Sequence, residues 1–278
     1  MRVEQLGDGE PEVAVVGSVH GDEPCGARAV ERLLDADLDV LEPVKLVVAN
    51  ERALEANVRY VDADLNRSFG EDVPEDAHEV ELAHRLADEI RGCTVLSLHS
   101  TQSHADPFAI TAGFDGPIPE LVARLPVVAT VDTQGFGEGR LFASDADIIE
   151  AEAGLQGTET AAENAFRVAR EFLTAVGALP GSAVEREIPV FEMGESIPKP
   201  PADEYEVFVE NFERVERGET FAAADGHELV ADDPFYPVLL SPYGYAGQFG
   251  YRGQRRGTVG QSSEGANSTS VNSLSSAQ

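Results

Sequence analysis

The sequence predicts an α/β protein: a mostly parallel or mixed sheet flanked by helices, followed by a small β-rich subdomain. Short apolar runs alternate with amphipathic helical stretches through the first part of the chain. After Gly181 the texture changes to short β-like segments separated by Pro and Gly. From Gly257 the chain is Gly, Ser, Asn, Thr and Gln with almost no apolar content. With 278 residues and 42% hydrophobic composition, there is enough chain for one sizeable core and a smaller unit. The expected boundaries are an α/β domain over 1–181, a β-rich subdomain over 182–252 and a disordered polar tail over 253–278.

Residues 12–17 (EVAVVG) read as a strand, and 24–34 as a helix with Pro early in its first turn, where a missing N–H costs little. Residues 44–49 (VKLVVA) form a second apolar strand. Over 75–91, Leu82, Ala83, Leu86, Ala87 and Ile90 share one helical face. Residues 94–98 read as a strand, with 108–111, 127–131 and 147–151 as further candidates. The clearest helix covers about 158–176, where Ala162, Ala165, Phe166, Ala169, Phe172, Leu173 and Val176 repeat at helical spacing. Thr160 and Glu163 have capping-box spacing, which places its start slightly later. Residues 186–191, 206–212 and 238–240 are the β-like segments of the last third.

Charge excludes several functions. There are 51 acidic against 20 basic residues, a formal net charge of −31. Lysine occurs only at Lys45 and Lys199, so arginine supplies nearly all the positive charge. Such a field repels phosphate backbones and anionic lipid, which argues against nucleic-acid and membrane partners. No apolar run approaches the ~20 residues of a spanning helix. Residues 1–11 lack the apolar core of a secretory signal, and Cys25 and Cys93 cannot staple a chain of this size. The expected compartment is the cytoplasm. A dispersed acidic surface almost without lysine is a halophile-like composition, since molar salt shortens the Debye length to ~3 Å and screens self-repulsion. The sequence carries no signal for oligomeric state.

Two His-x-x-Glu pairs occur, a number close to chance in so acidic a chain. His78 and Glu81 lie on the helix just described and read as helical neighbours. His20 and Glu23 follow a strand directly, within the Gly-containing segment GSVHGDEPCG, where sites form in open α/β sheets. His99 ends another strand, in TVLSLHS. Brought together, His20, Glu23 and His99 are a His₂Glu set, which leaves a zinc position open. The alternative is two polar loop histidines. In NVRYVDADLNRSF, Arg59, Asn66 and Arg67 form either a clamp for an anionic substrate or a surface loop ion-paired through Asp62 and Asp64. A metal hydrolase also needs a base, and Glu150 and Glu152 face one side of a strand in IIEAEAG.

These motifs, in this order, resemble the aspartoacylase and succinylglutamate desuccinylase family of zinc-dependent amidohydrolases, related in fold to zinc carboxypeptidases. The resemblance spans roughly 10–250. It implies zinc, one per chain, on His20 and Glu23 of VVGSVHGDEPCG and His99 of LSLHS. VRYVDADLNRSF, the most specific match, implies that Arg59, Asn66 and Arg67 hold the substrate and polarise its carbonyl. AEAG implies Glu152 as the catalytic base, and FYPVLLSPYGY implies that Tyr245, rather than Tyr243, lines the pocket. Two departures stand out. Ser97 occupies the position where the family usually has Asp. No second arginine upstream of Glu152 aligns cleanly, although Arg140 is near. The implied function is hydrolysis of the amide of an N-acyl amino acid or similar small carboxylate. The rivals are a carboxypeptidase, which needs an open groove, and a catalytically silent binding protein on the same fold.

Overall fold

The computed structural model describes residues 1–70, 76–133 and 139–260. Its strands are β1 (Arg2–Leu6), β2 (Val13–Gly17), β3 (Val44–Val48), β4 (Thr94–Thr101), β5 (Phe108–Thr111), β6 (Thr130–Asp132) and β7 (Asp147–Leu155). There follow β8 (Ile188–Pro198), β9 (Tyr205–Val207), β10 (Thr220–Ala224), β11 (His227–Val230), β12 (Tyr236–Val238) and β13 (Gln248–Val259). The helices are α1 (Cys25–Asp35), α2 (Glu51–Ala56), α3 (His78–Glu89), α4 (Ile118–Val122) and α5 (Glu159–Ala175).

Ten strands form one mixed sheet in the order β1-β3-β2-β4-β7-β5-β6-β8-β13-β12, and β11-β10-β9 form a small antiparallel sheet. The centre, β3-β2-β4-β7, is parallel. Its strands are buried on both faces, which explains their continuous Val, Leu and Ala runs. Helices α1 and α5 cover one face, packing Leu33, Val168 and Phe172 onto Val15, Leu96 and Ile149. The other face is covered by α3 through Leu82, Leu86 and Ile90. Truncating the fully buried Phe172 to Ala would cost roughly 3–5 kcal/mol.

The structure departs from several sequence expectations. Helix α5 starts earlier than the capping-box spacing suggests: Thr158 adopts an extended conformation and its Oγ1 accepts from Ala161 N at 3.1 Å. Within 182–252, β8, β12 and β13 extend the main sheet, and β9–β11 form the small antiparallel sheet. Strand β13 also continues past residue 252, held by antiparallel pairing with β8 as far as Val259↔Ile188. The remainder of the expected tail, 261–278, lies outside the described residues, as does the expected start of α3 at Glu75. Strand β12 ends at Val238, where Leu239 turns to φ 52°.

Candidate metal centre and pocket

The parallel centre of the sheet delivers its strand ends to one edge. After β2 the chain runs through Ser18, Val19 and His20 into Gly21, which lies against α2. A Cβ on Gly21 would sit 2.0 Å from the carbonyl carbon of Ala53, so only glycine permits this approach. Glu23 then precedes α1, and His99 lies near the end of β4. Register places Ser97 beside Glu150 and His99 beside Glu152 on β4 and β7, so these four side chains share one face.

His20, Glu23 and His99 meet, all buried, with one ligand atom from each within 4.8 Å of the others. His20 Nδ1 is 2.9 Å from Glu23 Oε1, and His99 Nδ1 is 3.2 Å from Glu23 Oε2. The far nitrogens have partners of their own: His20 Nε2 is 3.1 Å from Asp64 Oδ1, and His99 Nε2 is 3.0 Å from Ser97 Oγ. Outer partners of this kind fix the orientation of metal-ligating imidazoles. Two Nδ1 atoms and a carboxylate converging, with both Nε2 atoms secured elsewhere, fit a divalent zinc with a position left open.

Electrostatics inside the cluster follow from burial. Burial pulls the His20 imidazole down, but Glu23 and the hydrogen bonds to Asp64 and Glu23 outweigh it and push it up to about 9. Burial raises Glu23, and the two imidazoles more than reverse this, holding its carboxyl well below the usual range. Burial pushes Glu152 up to about 7, reinforced by Glu23 and opposed by His99. Its Oε2 is buried without a hydrogen-bond partner. Glu150, by contrast, accepts from Asn66 Nδ2 at 3.0 Å.

A polar cavity of about 150 Å³ opens beside the cluster and is lined by the expected residues Arg59, Asn66, Arg67, Glu152 and Tyr245. Arg59 donates to Glu23 Oε1 at 3.2 Å and Asp64 Oδ2 at 3.1 Å. Asn66 is anchored at both ends, donating to Glu150 and accepting from Leu141 N at 2.9 Å. Arg140, which the sequence left unaligned, is buried in the cavity wall. Burial and the neighbouring Arg140 cation lower Arg67, which marks two guanidinium groups facing one space. Tyr245 lines the cavity, and Lys199 Nζ donates to its carbonyl at 2.6 Å. Tyr243 is 60% exposed and packs against Tyr205, outside the cavity. Asn211 ties the walls together, donating to Ser103 O at 2.7 Å and accepting from Leu240 N at 2.7 Å.

Sequence reasoning missed the support around these residues. Asp64 reads as an ion-pair partner in sequence but also orients His20. Glu79, between His78 and Glu81, is fully buried. A signal for it exists: Glu79 lies three and four residues before Leu82 and Ala83, on the core-facing side of α3.

Residues 9–176 match the family model described as the succinylglutamate desuccinylase/aspartoacylase catalytic domain. No curated protein sequence matches the chain. Among solved structures, a succinylglutamate desuccinylase from a Silicibacter species is 18% identical, with TM-score 0.75 over 91% of this chain and 88% of that one. The product-bound ectoine utilization protein EutE (DoeB) from Ruegeria pomeroyi is 17% identical, with TM-score 0.73 over 94% and 88%. Murine aminoacylase 3 is 21% identical, with TM-score 0.67 over 91% and 99%.

Proposed function

The chain belongs to the succinylglutamate desuccinylase/aspartoacylase family, and on that premise we propose that it is a zinc-dependent deacylase acting on an N-acyl amino acid or a similar small carboxylate-bearing amide. One observation carries the reading. The donor atoms of His20, Glu23 and His99 converge beside the buried, unpartnered Oε2 of Glu152 on the adjoining strand. When bound, a zinc ion supplies Lewis acidity, polarising a carbonyl and making water acidic enough to serve as a nucleophile near neutral pH.

The chain's residues then divide the remaining work. Glu152 is the base: its free oxygen takes a proton from water and returns it to the departing amine. Glu150 is unsuited to this, because Asn66 holds its Oε1. Arg59 donates to the amide oxygen as negative charge develops there. Arg67, with Arg140 beside it, holds the substrate carboxylate, a pairing that Tyr245 borders. Asn66 keeps one N–H for the ligand while bracing Glu150 and Leu141. The small cavity, walled by Ser241, Gly244 and Tyr245, favours small amides over peptides.

The test is a product screen in molar KCl with added zinc. One arm holds N-acetyl and N-succinyl amino acids, including acylated intermediates of compatible-solute turnover, and the other holds short peptides. Amide hydrolysis confined to the first arm is expected. Release of C-terminal residues from the peptides would favour a carboxypeptidase, and no product in either arm would favour a silent binding protein.

A further inference from the structure

Helix α3 carries one fully buried carboxylate, Glu79, at its first turn. Its Oε1 accepts from Asn50 Nδ2 at 3.0 Å and from Val61 N at 2.7 Å. Its Oε2 accepts from Asp62 N at 3.0 Å and from Ala63 N at 3.1 Å. The exchange runs both ways, since Asp62 Oδ2 accepts from His78 N, the first N–H of the same helix, at 3.1 Å. Loop and helix end thus satisfy each other's unpaired backbone donors.

Three segments of the site meet at this clasp. Asn50 lies between β3 and α2, accepts from Ala53 N to cap α2, and donates its own N–H to Ser18 O beside the His20 turn. Residues 60–63 connect Arg59 to Asp64. Asp64 is the partner of His20 Nε2, and Arg59 is bonded to both Glu23 and Asp64. Three consecutive amides outside any helix or strand therefore hang on one carboxylate.

We propose that Glu79 is a positioning residue that fixes the 59–64 segment so that Asp64 orients His20 and Arg59 faces the substrate carbonyl. The proposal rests on the deacylase reading for its functional half. A carboxylate suits the task because it accepts at both oxygens, whereas an amide would turn N–H groups towards two of the four donors. Removing it would leave buried or half-buried donors unsatisfied and free the segment to shift. A shift of about an ångström in such supports is enough to cost large factors in activity.

The test combines hydrogen exchange with metal and substrate affinity on the full chain in molar KCl. In the wild type, the amides of Val61, Asp62 and Ala63 should be protected. Free-chain exchange there would overturn the clasp without any variant. In Glu79→Gln these amides should exchange at least tenfold faster, the zinc Kd from chelator competition should weaken about tenfold, and KM should rise by a larger factor than kcat falls. Glu81→Gln, two residues on and exposed, is the control and should match the wild type. If Glu79→Gln keeps zinc Kd and KM within twofold of that control, the positioning role is overturned. If Glu79→Gln does not fold, Asp62→Ala removes only the return bond to His78 N and should show the same changes at two- to threefold; no change in either affinity or exchange would overturn the proposal. A wild type that takes up no zinc would overturn the proposed function, and the exchange measurements would still decide the clasp.

Discussion

Ser97 Oγ lies 3.0 Å from His99 Nε2, on the ring edge opposite the nitrogen that faces Glu23. The residue that departs from the family pattern therefore backs the imidazole proposed as a ligand, through an uncharged hydroxyl. The two imidazoles are backed unequally, His20 by the Asp64 carboxylate and His99 by a hydroxyl. Ser97→Ala should leave the fold intact and weaken zinc binding by about 10- to 100-fold, the usual cost of losing such a partner. Chelator competition at fixed pH is the measurement, and unchanged affinity would show that Ser97 is only packing.

Glu152 provides a pH signature. As the proposed base it acts only when ionised, so turnover should fall about tenfold per unit on the acid side of its midpoint. Burial and Glu23 set that midpoint at about 7, and a cation in the cluster draws it lower, so the acid limb should lie at or below pH 7. Glu152→Gln should bind zinc within a few-fold of the wild type and lose ~10²–10⁴ in kcat. Near-normal kcat in that variant would sink the assignment.

Metal uptake should release protons. Raised to about 9, His20 holds its proton at pH 7 without metal, and ligation needs the neutral ring. Apparent zinc affinity should therefore climb about tenfold per pH unit from neutrality towards 9 and then level off. Calorimetric titrations in buffers of different ionisation heat would count the protons; a heat independent of buffer would contradict this.

Salt should aid substrate capture. A carboxylate must enter a field of −31, and attraction comes only from local groups such as Arg59, Arg67 and Arg140. Screening weakens the outer repulsion more than the half-buried contacts. KM for an anionic substrate should fall as KCl rises from low to molar levels while the protein stays folded. A KM that increases steadily with salt would count against it.

Much of the centre was legible in the sequence because it rests on short-range signals. Strands β2, β3, β4 and β5 are short, largely apolar runs; His20 and Glu23 lie in the loop after β2, and His99 lies near the end of β4. Strand β13 escaped because its order comes from pairing with β8; much of it is exposed Gln, Arg and Gly. Thr160 was a plausible cap, but the chain turned one residue before Thr158, at Gly157 with φ 76°. The AEAG resemblance already prefers Glu152 to Glu150, and the structure adds a reason the sequence does not carry: Asn66 holds Glu150 Oε1, while Glu152 Oε2 has no hydrogen-bond partner. Arg140 reaches the cavity from beyond residues 134–138, at a distance along the chain that no local pattern encodes.

The pairing of His99 with Glu152 across β4 and β7 separates two kinds of heritable change. Adjacent strands sit ~4.8 Å apart whatever their side chains, so the interval between His99 and Glu152, the proposed ligand and base, is copied with the backbone ladder. Arg59, Arg140 and Tyr245 come from connecting segments that can lengthen or drift without disturbing that interval. Mutation can thus retune what the protein accepts while leaving intact the means of cutting it, and a lineage built this way can diversify its diet without having to reinvent its chemistry.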